Sequence, residues 1–329
     1  MMAARHVART FLQYTVVLAA AICLNFALPR MAPGNVVDYL FPPEQAGVLT
    51  PEQRAHVLQT FGLDQPLPTQ FARYLLGLAH GDLLLSVRYG RPVRDLLAER
   101  IGWTLLLVGT AFVLATVVGT LLGFRAAWRR GFAGDAAELS GVMLVDSLPS
   151  FFVGMLLLLV FSVQLRWLPT FGAQPPAAHS AFELLTEVAK RLVLPLTTLT
   201  FASAGPVYLV ARSALLTELR EDYVLMAQAK GLSERQVRWH AQRNALVPVS
   251  TITLIGLGTV AGGAVVVETV FSYPGIGSLI YDSVLARDYP VLQGAFLMLV
   301  LAVLAANFVS DLLYPLLDPR VRRPVSNGR

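Results

Sequence analysis

Six apolar runs alternate with polar connections along this chain, at roughly 10–29, 103–124, 141–164, 192–211, 249–270 and 293–314. Each holds about 20 residues or more, enough for a helix rising about 1.5 Å per residue to cross about 30 Å of hydrocarbon. The pattern predicts an all-α membrane protein: six transmembrane helices in one domain spanning 1–329. Trp103, Trp128 and Trp167 fall at or just beyond run ends, where amphipathic rings favour the headgroup layer. A long segment, 30–102, separates the first two runs and reads as amphipathic and partly helical. Thr50 is a good N-cap for a short helix opening at Pro51-Glu52-Gln53, and Phe71, Leu75 and Leu78 follow helical spacing in a second. Two readings of this segment stand open: a collar on the outer membrane face, or a docking surface for an external partner.

The most polar interruption between late runs is 212–248, and its centre, 222–248, reads as an elbow. Leu215, Leu219, Tyr223 and Met226 recur at helical spacing and predict one apolar stripe on a helix. Lys230 falls in the last turn, where a cation suits the helix dipole. Gly231 fits the position after a helix end that calls for a left-handed backbone. Ser233, with Gln236 three residues on, forms a capping box that starts a second helix, and Pro248 is expected to close it. Stop and start signals that coincide within three residues make a compact corner. Such a corner transmits a rigid-body push; a floppy loop does not.

Composition agrees with membrane residence. The chain is 55% hydrophobic and 14% charged, against about 25% charged in soluble proteins. Mean hydropathy is +0.59 and the sequence pI is near 9.5. The basic excess is 26 against 21 acidic residues. No basic patch interleaved with aromatics accompanies it, so nucleic acid is not an expected partner. The excess reads as topology. Arg5, Arg9, Arg125, Arg129, Arg130, Arg212, Arg220, Lys230, Arg235, Arg238, Arg243, Arg320, Arg322, Arg323 and Arg329 share one side. The two shorter opposite loops hold only Arg166, Lys190, Arg191 and Arg287. The positive-inside rule then puts both termini and the elbow in the cytoplasm, with 30–102 outside and too long to vote. Cys23 is the only cysteine, which excludes an intrachain disulfide or thiolate metal site. The first run lacks a small-residue cleavage site and reads as a retained helix.

Polar groups inside membrane runs are functional candidates by default. Asp146 and Ser147 precede Pro149 in the third run, and Asn307 and Asp311 lie one turn apart in the sixth. Glu268, near the outer end of the fifth run, is expected to cap the following loop. The fourth run carries Thr197, Thr198, Thr200 and Ser203 with Pro195 and Pro206. The fifth carries Gly256, Gly258, Gly262 and Gly263; Gly258-x-x-x-Gly262 permits close helix approach, as does Gly119-x-x-x-Gly123 in the second. Packing and a pathway both account for these positions. The candidate pathway-lining set is Asp146, Ser147, Gly256, Gly258, Gly262 and Asn307.

No G-x-x-x-x-G-K-[ST] motif occurs, so the chain does not cradle ATP phosphates itself and is not expected to be an enzyme. The histidines are His6, His56, His80, His179 and His240; none falls in a run and none pairs at metal-ligand spacing. An intramembrane serine protease needs a His beside its Ser within the membrane. A self-sufficient secondary transporter calls for buried ionisable pairs and internal repeats, and has no use for the elbow.

Ala227-x-Ala229-Lys230-Gly231-Leu232-Ser233-Glu234, followed by Arg243-Asn244-Ala245-Leu246-x-Pro248, resembles the cytoplasmic EAA loop of ABC-importer permeases. The branch it resembles most imports dipeptides, oligopeptides and nickel. Further matches are Ala32-Pro33-Gly34, Gly62-Leu63-Asp64-Gln65-Pro66-Leu67, Gly81-Asp82-Leu83, the stretch 268–277 and Leu317-Asp318-Pro319-Arg320-Val321-Arg322. Leu225 and Met226 replace the loop's name-giving Glu and first Ala; Asn35 stands for a usual Asp and Leu84 for a frequent Gly. The resemblance implies a type I ABC importer permease fold in the bacterial inner membrane. It implies a second related permease, two ATP-binding subunits and an extracytoplasmic solute-binding protein as partners, with ATP and Mg bound by the partners. Ala227, Ala229, Lys230, Gly231, Leu232, Ser233, Glu234 and Arg235 would form the ATPase contact. The implied cargo is a peptide, with nickel chelates and glutathione as alternatives. The implied mechanism is alternating access, with the fifth run bordering a pathway between the two permeases.

Overall fold

The computed structural model describes residues 2–31, 64–131, 134–173 and 180–317, with positions 50, 52 and 59. Among these the chain is almost entirely helical; the one pairing of extended backbone is the isolated bridge Leu85–Pro92. In chain order the helices are α1 (Met2–Met31), α2 (Leu67–Ala79), α3 (Val93–Trp128), α4 (Asp135–Asp146) and α5 (Ser150–Leu157), which continues as a π-helical stretch, Leu158–Gln164. They continue as α6 (Ala181–Glu218), α7 (Asp222–Ala229), α8 (Glu234–Val270), α9 (Ile276–Ala286) and α10 (Tyr289–Leu317). All six apolar runs are helical. By length and apolarity, Val93–Trp128, Ala181–Glu218 and Tyr289–Asp311 are able to cross a membrane, and α4 with α5 makes a fourth if counted as one broken span. The apolar part of α1, Phe11–Ala27, is shorter. The helix expected at Pro51, the motif at Ala32-Pro33-Gly34, Asn35 and the tail from 318 lie outside the described residues.

Two expectations are corrected by prolines. The third run is not one helix: its two halves bend by 99° at Ser147-Leu148-Pro149. Pro149 has no N–H to donate, and its ring pushes Leu148 away from helical dihedrals. The carbonyls freed there are taken locally, Leu144 O by Ser147 Oγ at 2.7 Å and Val145 O by Leu148 N at 3.2 Å. Pro248, by contrast, does not close a helix. It lies inside α8, which runs unbroken from the elbow into the fifth run. One missing backbone bond is tolerated where Ala241, Ala245 and Val249 bury that face.

The described residues gather into two compact units, Met1–Thr104 with Pro274–Leu304, and Leu105–Tyr273 with Ala305–Arg329. In the first, Val93, Leu96 and Leu97 of α3 pack with Ile276, Leu279 and Ile280 of α9 and with Val291 and Ala295 of α10. The spacing at Phe71 and Leu78 does build a helix, α2, which lies on α1. Phe26 meets Phe71 edge-on at 5.1 Å, and Asn25 donates to Tyr74 Oη at 3.1 Å. Arg30 covers the Phe26 ring at 3.6 Å and donates to Gln70 Oε1 at 2.8 Å. Asp288, fully buried, starts α10: it accepts from Ser86 Oγ at 2.5 Å, Arg88 N at 3.0 Å and Val291 N at 3.4 Å. A buried carboxylate is tolerable because these donors replace water.

In the second unit, α6 opens at Ser180, whose Oγ accepts from Glu183 N at 3.1 Å, and packs most extensively with α8. The Gly119-x-x-x-Gly123 pair of α3 lies directly on α6. A Cβ at Gly119 would come 2.8 Å from Ala204 O, and one at Gly123 2.6 Å from Tyr208 O. Arg212 ties α6 to the first residue of α4, Asp135, at 2.9 Å. The hydroxyls of Thr197 and Thr198 donate to carbonyls one turn back, Val193 O and Leu194 O, both at 2.8 Å. Glu268 is buried near the end of α8, and its backbone carbonyl accepts from Tyr273 N at 2.8 Å in the loop that follows.

Candidate coupling elbow and membrane cavity

The elbow is built from backbone upward. α7 ends in a Schellman motif: Leu232 N donates to Ala227 O at 3.2 Å and Gly231 N to Gln228 O at 2.9 Å. Gly231 takes φ 75°, with open space where a Cβ would stand. Its glycine therefore answers to the backbone, not to crowding. Ser233 then caps α8, its N–H and Oγ both donating to Gln236 Oε1 at 2.9 Å. Glu234 binds Arg238 at 2.7 Å, and Arg238 lies over the Trp128 ring at 4.2 Å, tying the start of α8 to the end of α3. That hydrogen bond from Arg238 holds the Glu234 carboxyl below the usual carboxylate range. On the other flank, the Tyr223 hydroxyl donates to Glu218 Oε2 at 2.6 Å. Burial first, then that contact, push Tyr223 up to about 12.

The expected stripe of Leu215, Leu219, Tyr223 and Met226 is not continuous. The helix breaks between Glu218 and Asp222, so the helical phase restarts in α7. Val224 and Ala227 take the inward places, while Leu225 and Met226 are 61% and 64% exposed. Of the predicted contact residues, Ala227 is buried and Leu232 half-buried against the core, whereas Ala229, Lys230, Gly231, Ser233, Glu234 and Arg235 point outward. Leu225, Met226 and the exposed Trp239 are the members of this surface that sequence reasoning missed. The i, i+3 pair Val224 and Ala227 is the signal that would have found the first two, since it turns positions 225 and 226 outward.

Four helices line an open cavity of about 470 Å³ in the second unit. Thr116 of α3, Ser150 of α5, Ser203 and Pro206 of α6, and Thr253 and Gly256 of α8 line it. The Oγ1 of Thr253 is buried and has no hydrogen-bond partner among the described residues. Of the predicted pathway set, Gly256 is on the wall. Asp146 and Ser147 are exposed at the bend just before the wall residues Leu148 and Ser150. Gly262 is exposed with nothing near its Cβ direction, and Asn307 is half-buried on α10 away from the cavity lining. Gly258 is helical, and its surroundings lie outside the described residues. Among the described residues no group of three His, Cys, Asp or Glu is arranged to hold a metal ion.

Long apolar helices around a hydroxyl-bearing cavity, with a capped polar corner beyond them, define a multi-pass membrane protein. Residues 119–323 match the family described as binding-protein-dependent transport system inner membrane component. The chain is 36% identical over 315 residues to the di/tripeptide transport system permease protein DppB of Pseudomonas aeruginosa, covering 91% of this chain and 93% of that one. It is 38% identical over 300 residues to the glutathione transport system permease protein GsiC of Escherichia coli, covering 91% and 92%. In fold it is similar to the MetNI methionine ABC transporter in inward-facing conformations, with a TM-score of 0.54, 19% identity, and coverage of 68% of this chain and 96% of that one. The chain belongs to the family of inner-membrane permease components of binding-protein-dependent ABC importers. Members of that family are parts of transporters with further subunits.

Proposed function

We propose that this chain is the permease subunit of an ATP-driven importer that moves peptides across the inner membrane by alternating access. It pairs with a second permease, two ATP-binding subunits and an extracytoplasmic binding protein. Both termini and the elbow are cytoplasmic, and the six apolar helices cross the membrane. ATP and Mg bind the partner subunits, and this chain itself catalyses no reaction. Closure of the ATPase pair moves the elbow, and the helices open outward to take cargo.

The observation that carries this reading is the elbow itself. A Schellman end and a capped start, three residues apart, make a rigid corner that presents Leu225, Met226, Lys230 and Arg235 outward. A rigid, amphipathic projection suits a groove on a moving partner. The peptide assignment draws support from the likeness to a di/tripeptide permease; the likeness to a glutathione permease keeps that peptide-like solute as the second reading. The test is Gly231→Pro or Gly231→Val in the assembled transporter. Either forces an L residue into a left-handed position and distorts the corner. ATP hydrolysis is expected to lose its dependence on peptide and binding protein while uptake falls. Wild-type uptake in both variants would sink the coupling role.

A further inference from the structure

We propose that Asp146 is the carboxylate that receives the ammonium group of the cargo inside the membrane; this rests on the peptide-importer reading above. Asp146 ends α4 at the 99° bend. It lies eleven residues past Asp135, whose pairing with Arg212 marks one end of that helix. Along α6, its neighbour Gly205 stands seven residues before Arg212, a rise of roughly 10 Å. The carboxylate therefore lies at hydrocarbon depth. It is exposed on this chain and has no hydrogen-bond or ion-pair partner among the described residues. Acidic groups at that depth face water-filled cavities or opposite charges rather than lipid.

Its position is built. A Cβ at Gly205 would stand 2.1 Å from Asp146 Oδ1 and 2.5 Å from its Cγ, so the carboxylate lies in a notch that only glycine leaves open. The next residue, Pro206, has no N–H for the carbonyl of Ala202. Ala202, Ser203 and Pro206 all line the cavity, as do Leu148 and Ser150 just past the bend. Asp146 is thus held between the two stretches of chain that form the cavity's wall. The wall adds acceptors and hydroxyls, including the unpartnered Thr253 Oγ1. An ionised Asp is acceptor-only, and a proline-freed carbonyl is another acceptor, so the complementary group is a multiple donor with positive charge. Every unblocked peptide carries such an ammonium; a lysine side chain offers the carboxylate a second one, whereas a glutamate side chain is repelled by it. A bare divalent cation fits poorly, because a lone carboxylate offers too few ligands. The cavity of about 470 Å³ has room for a small solute.

The experiment uses the whole transporter in proteoliposomes with saturating binding protein and the probes Ala-Lys and Ala-Glu. Wild type is expected to move Ala-Lys faster. Asp146→Asn should lower the maximal rate at least about tenfold and bring the Ala-Lys to Ala-Glu ratio towards one, with Asp146→Glu restoring part of both. Gly205→Ala, which displaces the carboxylate, should shift the ratio in the same direction. A wild-type rate and ratio in Asp146→Asn overturns the proposal. So does loss of the second permease from purified Asp146→Asn complexes, which would mean that the carboxylate meets a partner's cation. If wild type moves neither peptide, the peptide reading itself falls, and this proposal with it.

Discussion

Glycines at helix spacing occur twice in the membrane part of the chain, and the two sets have opposite surroundings. Gly119 and Gly123 are pressed on α6, where a methyl group would strike backbone oxygens at 2.8 Å and 2.6 Å. On α8 the spaced pair is Gly258 and Gly262; among the described residues nothing stands within 4 Å of the same direction at Gly262, and the surroundings of Gly258 lie outside them. The motif is therefore not one thing. On α3 it closes the chain on itself. On α8 its described member, Gly262, is exposed, in a family whose members work beside other subunits. Gly231 is a third case, needed for its dihedral and not for room.

The comparison can be broken by substitution. The largest effect is expected from Gly123→Val, which has no space to occupy and should cost about 3 kcal/mol or more; thermal unfolding in detergent reads it directly. Gly231→Val should cost about 1–2 kcal/mol through the left-handed backbone alone. Gly231→Asn, which tolerates that region better, should recover part of the loss in the same assay. The reverse case is Leu84, a non-glycine at φ 67°. Leu84→Gly relieves that strain, and a gain of about 0.5–1 kcal/mol is expected after the added chain entropy of glycine. Gly262→Leu should leave the stability of the isolated chain within about 0.5 kcal/mol, while reducing co-purification of the proposed second permease. Unfolding of this variant to the extent of Gly123→Val would erase the distinction between the two faces.

The smallest effect concerns the inner side of the elbow. Tyr223 has its pKa raised from 10.0 to about 12. A raised folded value favours the protonated form in the fold. The contribution is thus complete below pH 10 and is lost as pH climbs towards 12. Ultraviolet titrations of the wild type and of Tyr223→Phe should differ by one tyrosine, which ionises near pH 12.

Local chemistry made the elbow legible. Gly231, Ser233 and Gln236 each act within a few residues of themselves, so the stop and the start could be read from neighbours alone; Lys230 falls just past the last turn, at the C-cap. Pro149 and Pro248 could not be told apart that way. Both remove one N–H, yet one coincides with a 99° bend and the other with an unbroken helix. The burial of Ala241, Ala245 and Val249 around Pro248 depends on distant helices. The knot of Asp288, Ser86 and Arg88 was equally silent, because about 200 residues separate its members and no periodicity links them.

The sequence by itself determined the helices, their apolar stretches and the capped corner, because hydrophobic period and capping act over one or two turns. Only the tertiary structure decided which glycines are filled, which elbow residues face outward, and that Asp146 lies in the notch at Gly205 beside the cavity wall. Those outcomes depend on what another helix places within 3 or 4 Å, and that is set by packing between segments far apart in the chain.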